Sequence, residues 1–136
     1  MSRYRMGWMN IPTTSTQRVS DRPIPQRGDI WDAYLDPTVG REQGGRRPVV
    51  VLSNEQLNNA PSQLCVIAPL TTRDRGLDAH PPVLPGDSGL KQLSYILCDH
   101  MRSVSHERLK RYRGRVPHET VNHAIDIINI LMDEAD

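Results

Sequence analysis

The 136-residue sequence predicts a small, mainly β domain closed by one C-terminal helix. Three observations predict it. Short runs of alternating or continuous apolar residues recur between Gly/Pro-rich stretches, the pattern of a strongly bent antiparallel sheet or barrel. Only residues 117–132 carry a sustained helical period. The length suits one domain with a core of modest size.

Taken in order, residues 1–25 are rich in Ser, Thr, Pro and Arg and lack apolar periodicity. They are expected to be a mobile extension, with Met6 and Met9 as alternative starts, leaving the domain at 26–136. "GDIWDAYLD" (28–36) alternates as a first strand, with Ile30, Asp32 and Tyr34 on one side and Trp31, Ala33 and Leu35 on the other. A Gly/Pro-rich loop spans 37–45. "RPVVVLS" (47–53) is a second strand, with Pro48 near its start, where no ladder N–H is missed. Residues 63–70 are a central third strand, 71–82 a polar loop, 82–90 a short strand and turn, and 93–104 one further long strand. Ser105 caps a short helical turn over 105–111, and 112–116 are a last short strand. Pro117 and Glu119 suit the first turn of the helix. Val121, Ala124, Ile125, Ile128, Leu131 and Met132 form its apolar stripe.

Phe is absent, so the core rests on Val, Ile, Leu and the two Trp. The net charge of +1 does not by itself call for a polyanion partner. The choice of cation says more: Lys91 and Lys110 are the only lysines, and fifteen of the 17 basic residues are Arg. Arg stays charged and presents a planar fork that fits phosphate. GC-rich coding accounts for such a count but not for its placement. Residues 41–47 hold three Arg and one Glu, a net of +2, whereas 126–136 hold Asp126, Asp133, Glu134 and Asp136, a net of −4. Cys65 and Cys98 lie in apolar runs and read as reduced, buried thiols of a cytoplasmic protein. No segment approaches the ~18 apolar residues of a membrane span, and no secretory signal is expected.

Metal chemistry is disfavoured. His118 and His123 are five residues apart, not the four that place two ligands on one helical face, and there is no CxxC. "GREQGG" lacks the GK[ST] of a phosphate-binding loop and no helix follows it. No strand–Ser–helix elbow is present. What remains is Arg with hydroxyls. If the second and third strands pair antiparallel, Arg47 at the start of one lies beside Thr71 at the end of the other. A cation beside a hydroxyl at a sheet rim suits a phosphate. An ordinary solvated Arg and a Thr that satisfies a turn fit the same residues, and both readings stay open at this level.

The residues "RGDIWDAYLDPTVGREQGGRRPVVVLS" (27–53) resemble the MazF/PemK family of toxins, bacterial endoribonucleases of toxin–antitoxin pairs. "VIAPLTT" (66–72) resembles that family's third strand and its Thr, and "SYILCDHMRSVSHERL" (94–109) its later strand. The resemblance covers about 26–133. It implies an SH3-like small barrel of the MazF/CcdB type, a homodimer, and metal-independent, cofactor-free cleavage of single-stranded RNA. It implies Arg47 and Thr71 as catalytic residues, with Glu42 matching the family's acidic position. Arg41, Gln43, Ser53, Asn54, Arg73, Arg75, His100 and Arg102 are the candidates for RNA contact. The family usually has Gln where this chain has His100, so His100 either reads a base, fills a structural place or supplies a titratable group. A MazE-like antitoxin is the implied partner, its acidic tail lying over the basic groove. An Arg is a poor general base at neutral pH, so Arg47 is expected to stabilise charge, with Glu42 orienting it or accepting a proton. The same fold also serves a non-catalytic gyrase-binding toxin of the CcdB type, or a simple RNA-binding module.

Overall fold

The computed structural model describes residues 23–86 and 88–134. The extension expected over 1–25 lies, up to residue 22, outside the described residues; Pro25 is already fully buried. Seven strands form one antiparallel sheet: β1 (Asp29–Tyr34), β2 (Arg46–Val51), β3 (Leu64–Thr71), β4 (Pro82–Val83), β5 (Ser94–Ile96), β6 (Arg102–Ser105) and β7 (Leu109–Arg115). A short helix α1 (Glu55–Asn58) sits between β2 and β3, and α2 (His118–Met132) closes the chain. The strand order is β4-β5-β3-β2-β1-β7, with β6 also on β3. This is the mainly β, half-barrel architecture that the sequence predicts.

The continuous Val49–Val50–Val51 run is explained by burial on both faces. Ile30, Val50, Ala68, Leu70 and Ile96 pack with Val121 and Ala124 of α2. The alternate residues Trp31, Ala33, Leu35, Val49, Val51, Cys65 and Ile67 form a second cluster with Val104 and Leu109. Each alternate residue of β2 therefore meets a different layer. The last turn of α2 leaves this packing: Leu131 and Met132, expected in the apolar stripe, are exposed.

The strand expected over 93–104 is broken. β5 pairs with the C-terminal end of β3 (Leu70↔Ile96), and β6 with its N-terminal end (Leu64↔Ser105). The paired numbers sum to 166 in the first case and 169 in the second. A 3-10 turn at Cys98–His100 absorbs those three extra residues. One edge of β3 thus carries two short strands, and the sheet bends between them. The expected Ser105 cap is present, accepting the Glu107 N–H at 3.1 Å.

Two buried carboxylates on β1 explain the basic strand β7. Asp29 pairs with Arg115, and Asp32 with Arg113 at 3.0 Å. The carboxylates are buried but the Arg115 side chain is 48% exposed, so solvent screens that pair and weakens it. These arginines tie β7 to β1.

Candidate active site

The register of β2 and β3 brings the two main candidates together. Val49 pairs with Pro69 and Val50 with Ala68. The ladder ends at the Val49–Pro69 pair, and Arg47 and Thr71 each stand two residues beyond it; Arg47 reaches the carbonyl of Leu70, the residue before Thr71. Both lie on the sheet face that carries Val49, Val51 and Ile67, at its polar rim.

Arg47 is half-buried and is held by backbone alone. Its Nε donates to the Gly44 carbonyl at 3.2 Å and its Nη1 to the Leu70 carbonyl at 3.4 Å. Three of its five N–H groups remain for a ligand. Among the described residues no carboxylate forms an ion pair with it. Burial, and then the charge of Arg75, pull its pKa below the usual arginine value. Two cations close enough to repel each other favour an anionic ligand.

The glycines before the strand shape this support. A side chain at Gly44 would come within 2.5 Å of Asp36 Oδ1 and 2.7 Å of Thr38 Oγ1. Gly45 has φ +73°, and its N–H donates to Asp36 Oδ1 at 3.0 Å. The close turn aims the Gly44 carbonyl at Arg47.

Thr71 Oγ1 accepts the Arg73 N–H at 3.2 Å. Its hydroxyl hydrogen stays available to a ligand, so turn satisfaction and ligand binding coexist at this residue. Arg73 and Arg75 are exposed on the loop that follows. Arg41 is exposed and Gln43 half-buried on the loop before β2.

The other candidates are placed differently. Glu42 does not orient Arg47; its carboxylate accepts the Val39 N–H and so folds back on its own loop. Ser53 and Asn54 lie six and seven residues beyond Arg47, past the opposite end of β2. Ser53 accepts the Val66 N–H and bonds the buried Asn58, while Asn54 caps α1 through the N–H groups of Gln56 and Leu57. Arg102 donates to the Leu35 carbonyl at 3.1 Å, and His100 is mostly buried with Nε2 3.8 Å from Asp99 Oδ2. Burial raises the Cys65 and Cys98 thiols to about 12, which leaves them inert. Among the described residues no cluster of His, Cys, Asp or Glu suits a metal ion. A concavity of about 480 Å³ lies beside α1 and the start of β1, lined by Arg27, Asn54, Glu55 and Arg115, away from Arg47.

Two residues at this rim escape sequence reasoning. Tyr95 of β5 pairs with Thr71 on the side away from Arg47. His80 is buried, with its ring against Asp99. The alternation Ser94–Tyr95–Ile96 sets Tyr95 apart from its buried neighbours, but nothing local says which strand it borders.

Residues 26–132 match the family described as PemK-like, MazF-like toxin of type II toxin–antitoxin system. The chain belongs to the PemK/MazF toxin family. It is similar to Endoribonuclease EndoA of Bacillus subtilis (strain 168), 32% identical over 114 residues, covering 82% of this chain and 90% of that one. It is similar to Endoribonuclease toxin MazF of Escherichia coli (strain K12), 33% identical over 112 residues, covering 82% and 96%. The crystal structure of MazF (Form-I) from Deinococcus radiodurans superposes with a TM-score of 0.72 at 28% identity, over 82% of this chain and 98% of that one. The crystal structure of MazE-MazF (Form-II) from the same organism gives 0.67 at 27% identity, over 84% and 100%. The PemK/MazF match ends where α2 ends, so the whole sheet and its closing helix belong to the family's fold.

Proposed function

We propose that this PemK/MazF chain is a cytoplasmic toxin that cleaves single-stranded RNA at a short sequence, without a metal ion. One observation carries the reading: Arg47 is fixed by two carbonyls, one of them that of Leu70 beside Thr71, and is unpaired with any carboxylate among the described residues. The similarity to curated endoribonucleases supports it.

Metal-free cleavage uses the substrate's own 2′-hydroxyl. It loses a proton, its oxygen attacks the adjacent phosphorus, and the bond from phosphorus to the 5′-oxygen breaks, that oxygen taking a proton from water to leave as a hydroxyl. A 2′,3′-cyclic phosphate remains. The transition state gains negative charge on the non-bridging oxygens, and fixed donors must meet it. The free N–H groups of Arg47 and the Thr71 O–H are those donors, each worth about 3–4 kcal/mol. The lowered pKa of Arg47 eases proton sharing, but its role is chiefly charge stabilisation. Glu42, exposed on the loop before Arg47, uses one carboxylate oxygen for Val39 and keeps the other to accept the 2′-hydroxyl proton.

The protein works as a homodimer and is neutralised by a MazE-like antitoxin. Arg47, Arg73 and Arg75, without an ion pair among the described residues, suit an acidic segment of such a partner as well as they suit RNA. A CcdB-like, non-catalytic role is not favoured, because binding gyrase gives no reason for the Arg47–Thr71 arrangement.

The test is incubation of the full chain with single-stranded RNA in excess EDTA. Cleavage is expected to persist and to fall 10²–10³-fold in Arg47→Ala and in Thr71→Ala at unchanged melting temperature. RNA left intact by the wild type overturns the reading.

A further inference from the structure

Tyr95 completes a row of side chains across the sheet. Thr71 on β3 pairs with Tyr95 on β5, Pro82 of β4 pairs with Tyr95 on the far side, and Arg47 stands at the same end of β2, two residues beyond its last pair with β3. Paired residues share a face, so all four project to the same side. Adjacent strands lie about 4.8 Å apart, which puts Tyr95 one strand from Thr71 and two from Arg47. Ser94 and Ile96 are buried, whereas Tyr95 is half-buried and Pro82 exposed.

The ring is also held. Tyr95 Oη lies 3.4 Å from Asp74 Oδ2, and Asp74 Oδ1 in turn accepts the Gly76 N–H at 2.8 Å. Asp74 sits between Arg73 and Arg75, so the hydroxyl end of the ring is tied to the loop bearing the two cations. The remaining aromatic side chains among the described residues are placed elsewhere. Trp31 is buried with Tyr112 edge-on against it, and Tyr34 pairs with Arg46, on the opposite face from Arg47.

We propose that Tyr95 is a substrate-binding residue that stacks on the nucleobase next to the phosphate held by Arg47 and Thr71. Single-stranded RNA offers splayed bases with exposed π-faces, and an anchored aromatic one strand from the phosphate donors meets such a face. The proposal rests on the ribonuclease reading above and adds to it a site for a base. Pro82, beside the ring, widens the apolar platform.

The experiment uses the full chain and its cleaved sequence, made non-cleavable by a 2′-deoxy nucleotide at the reacting position. Tyr95→Ala is expected to weaken binding of this RNA about tenfold to a hundredfold. Tyr95→Phe keeps the ring and is expected to bind within about twofold of wild type. In ring-labelled tyrosine NMR, the Tyr95 resonances are expected to shift upfield when the RNA is added. Wild-type binding in Tyr95→Ala, equal weakening in Phe and Ala, or unmoved Tyr95 resonances with the RNA bound would each overturn the proposal. Cleavage by the wild type in EDTA alongside any of these leaves the ribonuclease reading standing, whereas absence of cleavage sinks both.

Discussion

His80 Nε2 lies 2.7 Å from Asp99 Oδ1, joining a side chain that is 2% exposed to one that is 43% exposed. Asp99 sits below the ordinary carboxyl range. Its own partial burial works against ionisation and is outweighed by the His80 bond, a backbone N–H and the two neighbouring imidazoles. With Asp99 ionised, Nε2 of His80 carries the hydrogen, and Nδ1 is left buried without a partner among the described residues. The contact pins the far end of the loop that begins at Thr71 and carries Arg73 and Arg75.

Replacing His80 by Ala is therefore expected to cost about 1.5 kcal/mol of stability, the lower end of the range for a hydrogen bond to a charged group, because Asp99 is partly exposed. It also frees the loop, so KM for RNA should rise more than kcat falls. His80→Gln restores a donor near the Nε2 position and should recover most of both losses. Thermal melts with steady-state kinetics on the two variants check this; a Gln variant as impaired as Ala argues against the hydrogen bond.

His100 is mostly buried against Asp99, in the turn that separates β5 from β6. The pH–rate profile of His100→Gln is expected to keep the shape of the wild type, with changes confined to which sequences are cut. A missing limb in the variant's profile would instead place His100 in proton transfer.

Arg75 is exposed, and its charge helps to depress the pKa of Arg47. Binding of non-cleavable RNA to Arg75→Ala should show a log K against log salt slope shallower by about 0.7, the value for one lost phosphate contact on a single strand. The order of preference among RNA sequences should not change. Titrations at four or five salt concentrations test both points.

His106 has its pKa lowered by burial, only partly offset by its bond to the Leu64 carbonyl at 3.2 Å. The unfolded chain then binds more protons than the folded one between the two pKa values. The contribution to stability is complete above the unfolded value of about 6.5 and is lost as pH falls through the folded value. Melting temperature should drop on acidification from about pH 7, and His106→Gln should flatten that part of the curve. Melts at half-unit pH steps, wild type beside variant, measure it.

Much of the fold was legible because its signals are local. The Val49–Val51 run, the Pro117 start and the stripe through Val121 and Ala124 each reflect periodicity or turn chemistry within a few residues. That Arg47 and Thr71 stand at the same end of β2 and β3 was legible for a different reason: two strands joined by a short connection pair antiparallel, which sets the start of one against the end of the other. The break at Cys98–His100 was not legible. "YILCDHMRS" reads as continuous strand, and only the competition of β5 and β6 for one edge of β3 bends it. Ser53 and Asn54 misled because a polar pair after a strand serves a cap as readily as a ligand, and α1 is too short to announce itself.

The sequence by itself determined which segments become strand, loop and helix, and which cations and hydroxyls stand at a strand end. Backbone propensity and apolar period act over neighbouring residues. Only the tertiary structure decided that Arg47 is held by carbonyls and not by Glu42, that Tyr95 joins the row at Thr71, and that His80 is captured by Asp99. Each depends on the register between strands or on a contact across a loop, where sheet geometry sets the partners and local residue preference has no say.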